Sequence, residues 1–518
     1  MRLYIALIAM ALTIAAICGA PLAWDGAYYL VKALDAQAPF TPHNRLSNAL
    51  LQGPVLLLSH YTSDLGVLRL AYALAYAAVP LVAVTAAWWI VRRRAPHLFV
   101  WAALGIGLGT LPGQFNMNSE DLQAVQMFWP ILLAIVVGLP RRVIPLVVVL
   151  LAFILVAHPI SSVLCVLGAV AAFLGGLADR RAYRSMAAWA ALFVALALVR
   201  YAVGRDSYEA GVATGAALQY AVRVSVIGPP LVALACAWSA AIVVATVRRS
   251  DGPACEATPS PRRVVARAGA VAAASVLVLV ARPDRTLQDW QWILLSLAPP
   301  LATAAVLLAS RLSHGAAGAS RFLRFYGILG VLVAGIVLVP WGQNAVAWSG
   351  VVSFRDWSLV GTAPFMLLAM YEGLGRRLNA HAREADAREM LVVLAFRTRA
   401  LRTAGIVFLA VLTVQGLSFL QLTQSLRQNL AQGSTPCIVA ESITTFEETA
   451  LGHWSVASFA LLQQARAPNR LVLQGDNCAE FERSGRVRIA AWDATLGHGW
   501  FDLSRVERQR ARMSRSNR

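Results

Sequence analysis

The sequence predicts an all-α polytopic membrane protein of about 13 transmembrane helices, followed by a small α/β extracytoplasmic domain at its C-terminal end. Three observations predict it. Of the 518 residues 58% are hydrophobic and only 14% charged, with a mean hydropathy of +0.62, too little charge to clothe a water-exposed surface of that size. Apolar runs long enough to cross a bilayer recur along the chain. Arginine clusters border these runs at intervals that place them on one side of a membrane.

The first span, 3 to 20, follows only Met1 and Arg2, and this short basic start puts the N-terminus inside and residue 22 onward outside. Its end at Gly19-Ala20-Pro21 looks like a signal-peptide cleavage site, but the many later spans favour a retained helix. The loop 21 to 64 is then outside, with Ser63-Asp64 reading as the cap of the span 65 to 91. That span returns to Arg92-Arg93-Arg94, and 98 to 112 exits again toward Gln114-Phe115-Asn116. Spans 123 to 139 and 143 to 157 flank Arg141-Arg142, and 160 to 178 returns to Arg180-Arg181. Further candidates are 186 to 203, 225 to 247, 264 to 281, 290 to 310, 322 to 340, 357 to 375 and 403 to 422, separated by a flexible connection at 249 to 263 and a short amphipathic surface helix within 376 to 402.

The chain therefore divides into a transmembrane domain, 1 to 422, and a C-terminal domain, 423 to 518, which an odd span count places outside. Cys437 to Ala440, Arg470 to Leu473 and Arg486 to Ile489 read as strands, Ala450 to Gln464 as a helix, and Arg505 to Arg518 as a disordered or headgroup-facing end. Of six cysteines, Cys437 and Cys478 both lie beyond the last span, so an oxidising compartment would let them close a disulfide; the alternative is two unpaired buried thiols. The expected setting is a bacterial inner membrane, with the N-terminus cytoplasmic and the C-terminus periplasmic. The formal charge of +19 comes from basic residues that, Lys32 apart, are all arginine and that border apolar segments, which fits contact with membrane lipids and not nucleic acid.

Chemistry concentrates in the first outside loop. Trp24, Tyr28 and Tyr29 offer flat faces for a sugar ring, His43 and Arg45 polar contacts, and Asp25 a carboxylate whose pKa a partly dry cleft would raise, making it a usable general base. The competing reading gives the aromatics to an interfacial belt and Asp25 to a helix cap. Glu120 and Asp121 can bind acceptor hydroxyls or a divalent cation, or can simply be the acids of a helix start. His60, His158 and Arg355 are donor-phosphate candidates, against packing, helix termination at Pro159 or pairing with Asp356. No Walker loop, dinucleotide fingerprint, HExxH motif or nucleophile elbow occurs, and no metal ligand set is assigned.

The first span followed by an outside Asp25, the array of further spans and the C-terminal outside domain resemble the GT-C superfamily of integral-membrane glycosyltransferases. That resemblance implies transfer of a sugar from a polyprenyl-phosphate donor to an envelope glycan or glycolipid. Asp25 would deprotonate the acceptor and Arg355, with His158, would stabilise the departing phosphate, giving inversion with no cofactor required. Two other expectations stand beside it: a transporter or flippase of an anionic lipid or glycan, whose cue would be paired repeats, and a noncatalytic envelope assembly factor.

Overall fold

The computed structural model describes residues 1–23, 25–110, 117–178, 182–203, 362, 365–366, 368–370, 372–374, 387–432, 435–439, 455–464, 468–473, 475–484 and 504–516. The expected spans between 225 and 340, the connection 249 to 263, the strand at 486 to 489, Trp24 and Arg355 lie outside them.

The bundle consists of α1 (Arg2–Ile17), α2 (Gly26–Ala36), α3 (Ser47–Ser59), α4 (Leu65–Val91), α5 (Phe99–Leu104), α6 (Glu120–Val136), α7 (Ile144–Ala157), α8 (Ser161–Ala178), α9 (Tyr183–Val203) and α10 (Ala387–Ala431). Three helices among the described residues are long and apolar enough to cross a membrane, Leu65–Val91, Tyr183–Arg200 and Leu401–Ala431, and they make this a multi-pass membrane protein. The expectation of about 13 spans is thereby corrected. Its apolar runs do become helices, but α1 with 16 residues and α7 with 14 reach only about 24 and 21 Å at 1.5 Å per residue, short of a hydrocarbon core of about 30 Å. The run 98 to 112 is likewise broken, because α5 passes at Gly105–Gly109 into a π-helical turn closed by Thr110 N–H donating to the Gly105 carbonyl.

Small residues set the packing. α1 and α10 run parallel: a Cβ on Gly405 would lie 2.9 Å from Leu7 Cδ1, and one on Gly416 2.9 Å from Cys18 Sγ, so each glycine is what lets the backbones approach. A Cβ on Gly105 would fall 2.1 Å from Trp129, whose indole N–H donates to Thr362 Oγ1 at 2.9 Å. Tyr4 O–H donates to the Ala103 carbonyl just ahead of the π turn. α6 lies at the centre, buried along its whole length.

α4 starts where Asp64 Oδ1 accepts from the Gly66 and Val67 amides at 2.7 and 3.3 Å. α3 forms an antiparallel pair with α4, so the stretch 21 to 64 is compact helical structure laid along the bundle. α10 merges the expected surface helix and the last apolar run into one 45-residue helix, since nothing between Ala387 and Ala431 breaks it.

Beyond it, β1 (Cys437–Val439) and β2 (Leu471–Leu473) pair in parallel, with α11 (Val456–Gln463), α12 (Gly475–Ser484) and α13 (Ser504–Ser516) around them. Both strands, the helix before β2 and the Cys437–Cys478 disulfide agree with the sequence reading. Of the two readings for the segment after Arg505 the disordered one is corrected: Ser504–Ser516 is the helix α13, its buried Val506 seated on the domain.

Candidate functional site

Polar side chains gather between α2, α3, α4 and the start of α6. Glu120 opens α6, and its carboxylate is held on both oxygens: Arg45 Nη1 donates to Oε2 at 3.1 Å and Asn48 Nδ2 to Oε1 at 2.8 Å. Asn48 Oδ1 in turn accepts from Tyr76 O–H at 2.9 Å. Arg45 is 3% exposed, Asn48 0% and Glu120 4%, so this is an interior ion pair rather than a rim contact. Tyr76 stands about 16 Å along α4 from its start at Leu65, which sets the network inside the bundle.

The chain reaches this depth through a pinned turn. Gln52 accepts from Phe40 N–H at 2.7 Å and donates to the Phe40 carbonyl at 3.0 Å, fixing the segment between α2 and α3. His43 sits in that turn at φ +55°. Tyr28 and Tyr29 flank Phe40 with ring centroids 5.3 and 5.5 Å away. Burial pushes the Tyr29 hydroxyl well above its ordinary titration range, and the charges of Glu120 and Asp25 push it further, partly offset by Arg45. Tyr28 is raised by burial and then by Asp25.

A second set of atoms accompanies the pair. Gln123 Nε2 donates to the Met117 carbonyl at 3.1 Å, which orients its Oε1 away, and neither that oxygen nor Asn118 Oδ1 has a donor among the described residues. Both side chains are 1% exposed. Asp121, also 1% exposed, accepts from Ser119 O–H. The Asn118 side chain lies against Gly26, next to Asp25.

The structure thus brings together Asp25, Tyr28, Tyr29, Arg45 and Glu120 of the expected site residues, with Asp121 following Glu120 in the first turn of α6. Asp25 takes the N-cap position of α2 without a side-chain capping bond. Glu120 and Asp121 do occupy a first helical turn, and Glu120 is committed to Arg45 and Asn48. His60 is exposed at the end of α3, and His158 closes its own turn, Nδ1 accepting from Ile160 N–H at 3.2 Å. Asn48, Gln52, Tyr76, Asn118 and Gln123 were not singled out in the sequence; the available signal was polar pairs four apart, Asn48 with Gln52 and Tyr72 with Tyr76, inside apolar helices. Among the described residues no group of three or more His, Cys, Asp or Glu side chains could hold a metal.

No protein-family model, curated protein or solved structure matches this chain. With three helices of spanning length among the described residues and no match to any family, the expected GT-C membership is corrected. The polyprenyl-phosphate sugar transfer, the glycosyltransferase assignment and the envelope-glycan role drawn from that resemblance fall with it.

Proposed function

We propose that this multi-pass membrane protein binds a small monovalent cation, an alkali ion or the ammonium group of an amine, in the cluster between α2, α3, α4 and α6. The observation that carries the reading is two buried amide oxygens at the start of α6, Asn118 Oδ1 and Gln123 Oε1, that have no donor among the described residues. A buried acceptor without a partner costs roughly 1–3 kcal/mol, which a bound donor or cation would remove. Amide and carboxylate oxygens are hard ligands that suit alkali ions and ammonium groups. Ionisable side chains held inside a membrane bundle are also a general mark of ligand and ion pathways.

The site faces the end of the bundle away from Arg92, Arg93, Arg94, Arg141 and Arg142. Those arginines support a cytoplasmic assignment of their own end, and the Cys437–Cys478 disulfide supports an extracytoplasmic one for the opposite end, as in a bacterial inner membrane.

The test is thermal stabilisation of the full chain in nanodiscs by sodium, potassium, methylammonium or choline chloride at constant ionic strength. One of the first three is expected to raise the unfolding temperature saturably, choline to fail by size, and Gln123→Leu to remove the response. Equal behaviour in all four salts, or a response that survives Gln123→Leu, would overturn the assignment.

A further inference from the structure

α13 carries the densest charge pattern of the C-terminal domain. Arg505, Arg508, Arg512 and Arg515 recur at spacings of three, four and three, which on a helix of 100° per residue gathers them within an arc of about 80°. All four are exposed. The helix is docked by its other side: Val506 is buried, Gln509 Nε2 donates to the Thr435 carbonyl at 3.3 Å, and Arg510 donates to the carbonyls of Glu482 and Arg483 at 3.1 Å each, finishing the C-terminal end of α12. The one acid of the helix, Glu507, projects well away from the arginine arc. Among the described residues no carboxylate forms an ion pair with Arg508, Arg512 or Arg515.

The docking point fixes the height of this face. The apolar helix Leu401–Ala431 has 31 residues and so reaches about 46 Å, some 16 Å more than a hydrocarbon core of about 30 Å. Its polar end, with Gln424, Arg427 and Gln428, therefore passes through the headgroup zone, and Thr435 follows four residues after Ala431. α13 is bonded to Thr435, so it is tethered just beyond the end of the helix that leaves the membrane.

We infer that the Arg505, Arg508, Arg512 and Arg515 face of α13 is a docking surface for the anionic headgroups of the bilayer that holds the protein. Guanidinium groups match phosphate oxygens in bidentate geometry, and a single row of them fits a planar array of phosphates better than a concave site for one anion. Each basic residue held at such a surface contributes roughly a fivefold gain in association. Domain and bilayer are already tethered, so the result would be a fixed orientation of the domain.

The experiment uses the full chain in nanodiscs of phosphatidylcholine alone or with phosphatidylglycerol, with Cys236 and Cys255 replaced by serine and a nitroxide at Ala511→Cys, beside the arginine row; the free thiols among the described residues, Cys18 and Cys165, are buried. The label is read against a lipid-anchored and an aqueous relaxation agent. Phosphatidylglycerol is expected to shift its contact toward the lipid-anchored agent several-fold, with the shift lost at high salt and in the variant R505Q/R508Q/R512Q/R515Q. Retention of the Cys437–Cys478 disulfide in that variant, read by mass spectrometry, shows that the domain has kept its fold. Label contacts identical in both bilayers, or a shift that survives the four substitutions, would overturn the inference. Displacement by inorganic phosphate would point to a discrete anion site, and a response to soluble heparin without one to phosphatidylglycerol would point to a soluble polyanion; either result would also overturn it.

Discussion

Removing either member of the Arg45–Glu120 pair should destabilise the bundle far more than removing both. The two charges approach to 3.1 Å with their side chains 4% and 5% exposed. At that separation their attraction is about 5 kcal/mol for an effective dielectric constant near 20. It is set against a desolvation penalty of several kcal/mol per ion, so the intact pair is close to neutral while a lone survivor is not. Arg45→Met or Glu120→Met alone leaves one buried charge and should cost about 3–5 kcal/mol. The Glu120 change carries a further loss, because Asn48 Nδ2 gives up its acceptor at 2.8 Å. The double variant should recover all but about 1–2 kcal/mol, giving a coupling of roughly 4–9 kcal/mol. The assay is a double-mutant cycle on equilibrium unfolding in mixed micelles of mild detergent and dodecyl sulfate. Single variants that each cost under about 1 kcal/mol, or a double variant equal to the sum of the singles, would refute the argument that this pair is desolvated and mutually dependent.

Two other outcomes follow from local features. Replacing Cys437 and Cys478 by serine opens a loop with a sequence separation of 41, and the restored chain entropy should destabilise the C-terminal domain by about 4 kcal/mol, measured as accelerated proteolysis beyond Gln432 with the bundle left intact. Tyr29 supplies a pH dependence: its folded pKa lies well above the ordinary value of 10.0, so folded and unfolded chains are equally protonated below that value and its contribution to stability is constant there. As pH rises past it the unfolded hydroxyl ionises first and stability falls, so thermal scans between roughly pH 9 and pH 11 should show a smaller decline for Tyr29→Phe than for the unaltered chain.

The parts of the fold legible in the sequence are those fixed by neighbours in the chain. The apolar runs at α1, α4 and α6 to α9, the Asp64 cap, the strand at Cys437–Val439 and the strand at Leu471–Leu473 all follow from local pattern. Helix length against bilayer thickness does not, because hydropathy marks α7 as apolar without saying that Pro145 in its first turn and the extended His158 before Pro159 confine it to 14 residues. Ala387–Ala431 was divided in the sequence at its arginines, yet Arg402 lets the helix continue by facing outward. The site was half legible for the same reason. Glu120 and Arg45 were picked out by charge, but Asn48 and Tyr76 meet them only through contacts 72 and 28 residues apart in the chain, which no window over the sequence contains.

Arginine rather than lysine dominates the basic residues, and the C-terminal domain supplies a physical reason. Arg69 donates to the Leu462 carbonyl at 3.0 Å and to Gln463 Oε1 at 2.9 Å, and Arg427 donates to the same Gln463 oxygen, so the end of α11 is clasped to α4 and α10. Arg470 donates to the carbonyls of Asn429 and Gln432 at 3.1 and 2.7 Å and completes α10; Arg510 does the same for α12. Each guanidinium satisfies two or more acceptors in a plane, which a single ammonium at the end of a flexible stem reproduces poorly. The acceptors are neutral amide and carbonyl oxygens, so these bonds hold the domain to the bundle without cancelling charge. A domain assembled in this way stays cationic on the side where its spanning helix leaves the membrane. That residual charge is what an anionic headgroup layer can neutralise, which ties the excess of 45 basic over 26 acidic residues to the way the helix ends are closed as well as to topology.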